Sequence, residues 1–330
     1  MKDEFAFISK ISPDHTYQSS LVRGIGDDAA VYAGSSEMEQ VVCVDTMVEG
    51  VHFRKDTLSS FQIGKKALAI NISDIAAMGA IPTYYLVSVA VPPTWTEEEL
   101  SEIYEGMNEL AKRYEIDLIG GDTVSSNDAL VITVTAIGKV EQGKAIFRSD
   151  ARADDIVFLT GYVGGSAAGL DVLFEKGFNG LFSDKEKQLV KAHQEPTPHV
   201  EAGRILAKSN ARISLNDVSD GVASEANELA EASQARLIIE QERIPLHPAM
   251  SEYSVERQLK FAMFGGEDFV LIGTVPKEKK EEISTQFRKS GLPFHEIGFM
   301  EAGEPSVFIK EGNERKKIQK HGYNHFQKRG

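Results

Sequence analysis

The chain has 330 residues, more than one hydrophobic core usually serves, so two domains are expected. Its 42% apolar and 26% charged residues are ordinary for a globular protein, and a net charge of -14 excludes a general nucleic-acid binder, which needs a basic face for phosphate backbones. A single cysteine, Cys43, excludes a disulfide framework and a cysteine-rich zinc site; no apolar run approaches a membrane span and Met1-Lys2-Asp3-Glu4-Phe5 opens no secretory signal, so a cytoplasmic protein is expected.

Glu4 to Ile11 reads as a short helix with Phe5 and Ile8 on one face. Gly24-Ile25-Gly26-Asp27-Asp28-Ala29-Ala30 then sets two carboxylates in a tight glycine turn feeding a strand, Ala30 to Ala33. A Val-rich strand, Gln40 to Thr46, ends on Asp45. The loop Glu49-Gly50-Val51-His52-Phe53 follows, with His52 either a surface histidine or a ligand to substrate. Phe61 to Ala80 reads as a helix whose second half is apolar except for Asn71, Ser73 and Asp74. Asn71 and Asp74 share a face, and a carboxylate in so apolar a helix needs a metal or cationic partner. Tyr84 to Val91 alternates as a strand, Pro92-Pro93 ends it, and a helix runs from Thr96 to Tyr114 with Thr96 and Glu99 at capping-box spacing. Strand Ile116–Ile119 opens into a turn, Gly120-Gly121-Asp122-Thr123, before a β-branched strand from Leu130 to Val140.

Gln142 to Asp155 is polar and reads as a linker, with Arg148 in it as an exposed residue or a phosphate clamp. Strand Ile156–Thr160 leads into a glycine-rich turn over 161–169 that enters a helix and offers backbone N–H groups to an anion. Helices are expected over 184–194, 199–209 and 221–234, and strand Arg212–Leu215 delivers Asp217 and Asp220. Gly265-Gly266-Glu267-Asp268 leads into strand Phe269–Val275, and the final third mixes a helix over 277–289 with short strands before an aromatic tail, Gly322-Tyr323-Asn324-His325-Phe326. The expected fold class is α/β (α+β): residues 1–140 as a mixed sheet with helices, 141–155 as linker, and 156–330 as a C-terminal α/β domain.

Gly24-Ile25-Gly26-Asp27-Asp28-Ala29 matches a dinucleotide fingerprint, but a strand follows it and two carboxylates would repel a pyrophosphate, so that reading is rejected. There is no P-loop, nucleophile elbow or H-E-x-x-H zinc motif. Scattered short carboxylates at element ends suit Mg²⁺ and phosphate, since Mg²⁺ takes hard oxygens, retains waters and binds through carboxylates plus substrate phosphates.

In order, Gly24–Ala29, Asp45-Thr46-Met47-Val48-Glu49-Gly50-Val51-His52-Phe53, Asn71–Ala80, Gly120-Gly121-Asp122-Thr123, Asp217-Val218-Ser219-Asp220-Gly221, Gly265-Gly266-Glu267-Asp268 and the aromatic tail resemble the thiamine-monophosphate kinases. These form a branch of the aminoimidazole ribonucleotide synthetase-like superfamily, and the resemblance spans nearly the whole chain. It implies a two-domain fold, a homodimer joined through the N-terminal domains, and Mg²⁺-dependent phosphorylation of thiamine monophosphate by ATP. It implies that Asp28, Asp45, Asp74, Asp122 and Asp217 hold several Mg²⁺ ions, with Asp220 on a further one. Tyr104, Gly121, Asp122, Arg148 and Ser219 would contact ATP, and His52, Glu267 and Tyr323 the thiamine substrate, with no dedicated catalytic base. Cys43-Val44, Gly165 and His199 depart from the residues frequent in relatives, outside the main acidic set. Two other readings use the same carboxylates: an ATP-dependent cyclo-ligase of purine biosynthesis, and a Mg²⁺-nucleotide-binding protein without turnover.

Overall fold

The computed structural model describes residues 21–23, 27–34 and 36–320. The helix expected over Glu4–Ile11, the glycines of the first turn and the tail with Tyr323 lie outside the described residues.

The first sheet runs β1 (Leu21–Arg23), β2 (Ala30–Ala33), β3 (Met38–Val48), β6 (Val131–Glu141), β4 (Ile81–Val91), β5 (Asp117–Ser125). Its pairs are antiparallel except β4 with β5. Burial alternates along β3 and β6, so Val41, Cys43 and Met47 with Ile132, Val134 and Ala136 face inward. Two helices, α1 (Ser60–Ala77) and α2 (Glu97–Tyr114), cover that inner face. Both open with a capping box, Ser59 with Gln62 and Thr96 with Glu99, the second at the spacing read from the sequence. They approach closely through Gly64 and Gly106: a Cβ on either would stand within 2.0 Å of a carbonyl oxygen of the facing helix. The opposite face is uncovered and presents Val44, Tyr84 and Val124 to solvent.

The second sheet runs β13 (Glu314–Ile318), β12 (Ser306–Glu311), β9 (Arg236–Glu240), β11 (His295–Glu301), β7 (Ile156–Leu159), β10 (Leu271–Val275), β8 (Ser214–Asp217). One face is covered by α5 (Val200–Lys208) and α8 (Lys280–Lys289), the other by α6 (Val222–Ala232) and α7 (Val255–Phe264). Strands β7, β8 and β10 are therefore buried on both sides; β7 and β10 read as near-continuous apolar runs, while β8 buries the polar residues Ser214, Asn216 and Asp217. A helical pair, α3 (Gly165–Lys176) and α4 (Asp184–Gln194), packs against α7 and, through α4, against α1.

α1 joins the halves. It is buried almost all round, and its last turn, Ala76 and Ala77, enters the core formed by α5, α8 and Phe158. The polar stretch before β7 is packed rather than loose: Ile146 is buried, its N–H donates to the Met78 carbonyl at 3.1 Å, and Phe147 bridges to Ser214.

Two expectations are corrected. Gly120-Gly121-Asp122-Thr123 is no turn but the middle of β5, where Gly121 permits close backbone contact: a Cβ there would lie 2.0 Å from the Val87 carbonyl oxygen. The strand expected at Arg212–Leu215 lies two residues later, at β8, which makes Asp217 its last residue. Helix α7 was not anticipated from the sequence.

Candidate active site

The carboxylates come together where α1 passes between the sheets. Asp28 follows the first turn, Asp74 projects from α1, and Asp217 ends β8. Ligand oxygens of these three residues all lie within 4.8 Å of one another. Asp45 reaches the same place from the inner face of β3, near enough for its charge to raise the Asp74 carboxyl. Its N–H donates to Asn71 Oδ1 at 3.1 Å, and Asn71 in turn donates to the Ala67 carbonyl, so the amide on α1 fixes the strand against the helix. Ser73, one residue before Asp74, donates to Asp217 Oδ2 at 2.7 Å and ties the halves together.

Burial raises every one of these carboxyls. Asp217 is pushed up to about 8 by burial and then by Asp28, and Asp74 is pushed well above its ordinary value by burial and by Asp45, Asp217 and Asp28. Asp28 is raised less freely, because burial is opposed by Arg148. Arg148 is no exposed linker residue. It is half-buried, and its guanidinium bonds both Asp28 oxygens, Asn216 Oδ1 at 3.1 Å and Glu228 Oε2 at 2.6 Å. Hard oxygen donors at this separation fit a magnesium ion, whose ligands at about 2.1 Å in an octahedron stand roughly 3 to 4 Å apart. Arg148 balances only one of the clustered charges.

The loop after β8 is held from beneath by Glu225 of α6. Its carboxylate accepts from Asn216 Nδ2 at 2.6 Å, from the Asp220 N–H at 3.0 Å and from Ser219 Oγ at 3.3 Å. Ser219 and Asp220 thereby face a cleft of about 480 Å³ that also meets Asp45, His52 and Glu267. His52 is oriented by the Val48 N–H, which donates to its Nδ1 at 2.9 Å. The far wall is apolar, with Leu170, Phe174 and Phe269.

The glycine-rich turn before α3 is not open to an outside anion. Asp268 fills it: Oδ2 accepts from the Gly164 N–H at 2.6 Å and Oδ1 from the Ser166 N–H at 3.1 Å, while burial pushes its carboxyl up to about 7. Asp268→Ala leaves both donors without their acceptor and is expected to destabilise the chain by about 2 kcal/mol or more, with Asp268→Asn losing less. Urea unfolding midpoints check this, and an unchanged midpoint for the alanine variant would remove the capping role.

Some expected residues stand elsewhere. Asp122 pairs with Ser88, Ser88 with Thr133 and Thr133 with Thr46, so it lies three strands from β3, roughly 14 Å, on the outer face of the sheet. Asp45 is on the inner face, and within one chain Asp122 does not join the cluster. Gly121 sits beside it on β5, and Tyr104 packs into the α2 side of the core. Tyr323 is outside the described residues. Sequence reasoning missed Glu225, Glu228, Lys66 and His193, which reach the site or its wall. For Lys66 a signal existed, a lysine inside an apolar helix; for Glu225 and Glu228 none did.

The chain matches the model of the AIR synthase related protein N-terminal domain over residues 26–140 and that of its C-terminal domain over 152–310. It is 48% identical to the thiamine-monophosphate kinase of Bacillus subtilis over 98% of this chain and 99% of the relative, and 34% identical to that of Escherichia coli K12 over 92% and 91%. A solved structure described as AaThiL complexed with AMPPCP and TMP superposes with a TM-score of 0.83 at 30% identity, covering 98% of this chain and 97% of that one. With two matched domain models and near-complete likeness at this identity, the chain belongs to the thiamine-monophosphate kinase family.

Proposed function

We propose that this chain transfers the γ-phosphoryl group of ATP to the phosphate of thiamine monophosphate, giving ADP and thiamine diphosphate. The carrying observation is the cluster of Asp28, Asp74 and Asp217, joined through Asp45 to a cleft that Asp45 and Asp220 line, in a chain alike over 98% of its length to AaThiL, solved with AMPPCP and TMP. The nucleophile is a phosphate oxygen, largely ionised at neutral pH because a phosphate's second pKa is about 6, so no side chain has to remove a proton. The new P–O bond forms as the bond from Pγ to the ADP oxygen breaks, and ADP leaves with the electron pair. What the protein must supply is alignment of two anions and charge to offset their repulsion.

In this reading Asp28, Asp45, Asp74 and Asp217 hold Mg²⁺, with Asp220 on a further ion. Mg²⁺ bound there supplies positive charge to the phosphates. Arg148 keeps Asp28 and Asn216 in place, and with Ser219 it faces ATP; His52, Glu267 and Tyr323 face the thiamine part. Residues 1–140 and 156–330 form the two domains, with 141–155 between them. We propose also a homodimer through the outer face of the first sheet, supported by exposed Val44, Tyr84 and Val124. Asp122, Gly121 and Tyr104, apart from the cluster within one chain, would then serve the site across that contact.

The test is ADP release with ATP and Mg²⁺, with and without thiamine monophosphate, read together with thiamine diphosphate formation. Release that depends on the substrate and on Mg²⁺ is the expected result. Release with formylglycinamidine ribonucleotide instead would make it a cyclo-ligase, and nucleotide binding without turnover a binding protein. Light scattering is expected to give twice the 36.2 kDa chain mass. Among the described residues no helix is long and apolar enough to cross a membrane.

A further inference from the structure

Lys66 lies on α1 and is only 1% exposed. Its Nζ stands 2.9 Å from Glu267 Oε2, across the boundary between the halves. Glu267 is unusual in two respects. Its backbone is left-handed, with φ of 68°, which costs a non-glycine residue about 1 to 2 kcal/mol and persists only when its surroundings hold it. Its side chain is 30% exposed, on the cleft wall beside His52. The Glu267 N–H donates to the Ser219 carbonyl at 2.7 Å, so the strained residue is tied to the loop that carries Ser219 and Asp220.

A second buried group meets the same oxygen. His193 Nδ1 is 3.4 Å from Glu267 Oε2 and 3.2 Å from Ser166 Oγ. Burial and then Lys66 push the His193 ring down to about 3, so it is neutral and the ammonium of Lys66 is the charge that answers the carboxylate. An ion pair of this kind is poor value for stability, since an apolar pair of similar volume usually serves as well. Its place on the cleft wall gives it another use. With Oε2 held from behind, Oε1 is the oxygen presented to a cleft ligand.

We propose that Lys66 is a positioning residue for thiamine monophosphate: it pins Oε2 of Glu267 from α1 so that Oε1 meets the positively charged thiamine moiety. This rests on the reading of Glu267 as a substrate contact. Lys66 touches no substrate and acts through Glu267 alone, which sets a requirement that a merely structural lysine does not meet.

The experiment is steady-state kinetics on the full-length Lys66→Met, Glu267→Gln and double variants, with ATP and thiamine monophosphate varied separately. Each single variant is expected to raise KM for thiamine monophosphate about tenfold or more, the loss of one hydrogen bond to a charged group, with KM for ATP unchanged. The double variant is expected to match Glu267→Gln, because Lys66 has nothing left to position. If Glu267→Gln leaves KM for thiamine monophosphate alone, Glu267 is no substrate contact and the proposal falls with that reading. If Glu267→Gln raises it but Lys66→Met does not, only the role of Lys66 is overturned, and effects that multiply in the double variant overturn it as well. Should Lys66→Met not fold, Lys66→Gln takes its place under the same criteria with a smaller rise, since it can still donate to Oε2.

Discussion

Asp217→Asn is expected to lower turnover about a hundredfold or more while leaving the fold intact, the scale seen when one electrostatic group aimed at a transferring or developing charge is removed. The substitution is close to isosteric. Asp217 Oδ2 accepts from Ser73 Oγ, and an amide oxygen can accept the same bond, so the tie from β8 to α1 survives. What disappears is one negative charge from a set whose oxygens lie within 4.8 Å of one another. A divalent ion among them is then held more weakly, and the two phosphates lose part of the charge that lets them approach. Ser73→Ala separates the two contributions, because it deletes the hydrogen bond and keeps the charge; it is expected to cost less than about tenfold, the scale of one neutral hydrogen bond. Turnover over a Mg²⁺ titration, with circular dichroism on the same samples, checks both. Wild-type turnover by Asp217→Asn at saturating Mg²⁺ would falsify the metal role, and a lost helical signal would assign the effect to folding instead.

The contrast between Thr96 and Gly120–Thr123 explains what was legible before the fold was known. A capping box is a contact between residues three apart, so Thr96 and Glu99 announce the start of α2 whatever surrounds them. The same local logic reads Gly120-Gly121 as a turn, yet the need for glycine at 121 comes from Val87 on a neighbouring strand, a residue the local pattern cannot supply. Helix α7 escaped although its signals were local ones, with Ser254 as its cap and Val255, Leu259, Ala262 and Met263 recurring at helical spacing. The aspartates were readable as residue types at element ends, and the fold joins Asp28, Asp45, Asp74 and Asp217. Their supports were not readable. Arg148 meets Asp28 across 120 positions of sequence, Lys66 meets Glu267 across 201, and the anion at the start of α3 turned out to be the chain's own Asp268.

Without metal, the chain is expected to lose thermal stability as pH rises from about 6.5 to about 8, and Mg²⁺ is expected to reverse the loss. Asp217 ionises near 3.8 when unfolded but at about 8 when folded. Between those values the folded state holds a proton that the unfolded state has released. Stability from this group is therefore complete below about pH 4 and is lost as pH rises through the folded value. Asp74 is raised by the same crowding, and Asp268 at about 7 adds to the fall, whereas the contribution of Asp27 at about 6 is already lost below the window. Histidines desolvated in the fold work in the opposite direction, His193 and His199 most strongly, with His247 and His295 shifted the same way. His193 and His199 are buried neutral, with values pushed down to about 3 and about 4 from 6.5, so they gain stability as pH rises toward 6.5 and nothing beyond it. Above 6.5 the carboxylates act alone. Metal binding takes the place of the protons there, so the stabilisation by Mg²⁺ should widen with pH over the same window. Melting temperatures in EDTA and in Mg²⁺ at several pH values between 6 and 8.5 measure it directly, and Asp74→Asn should flatten the EDTA curve by removing a repelling charge. An EDTA curve that is flat or rising across that window would mean the four carboxylates do not repel one another in solution, and the case for a divalent ion between them would lose its physical basis.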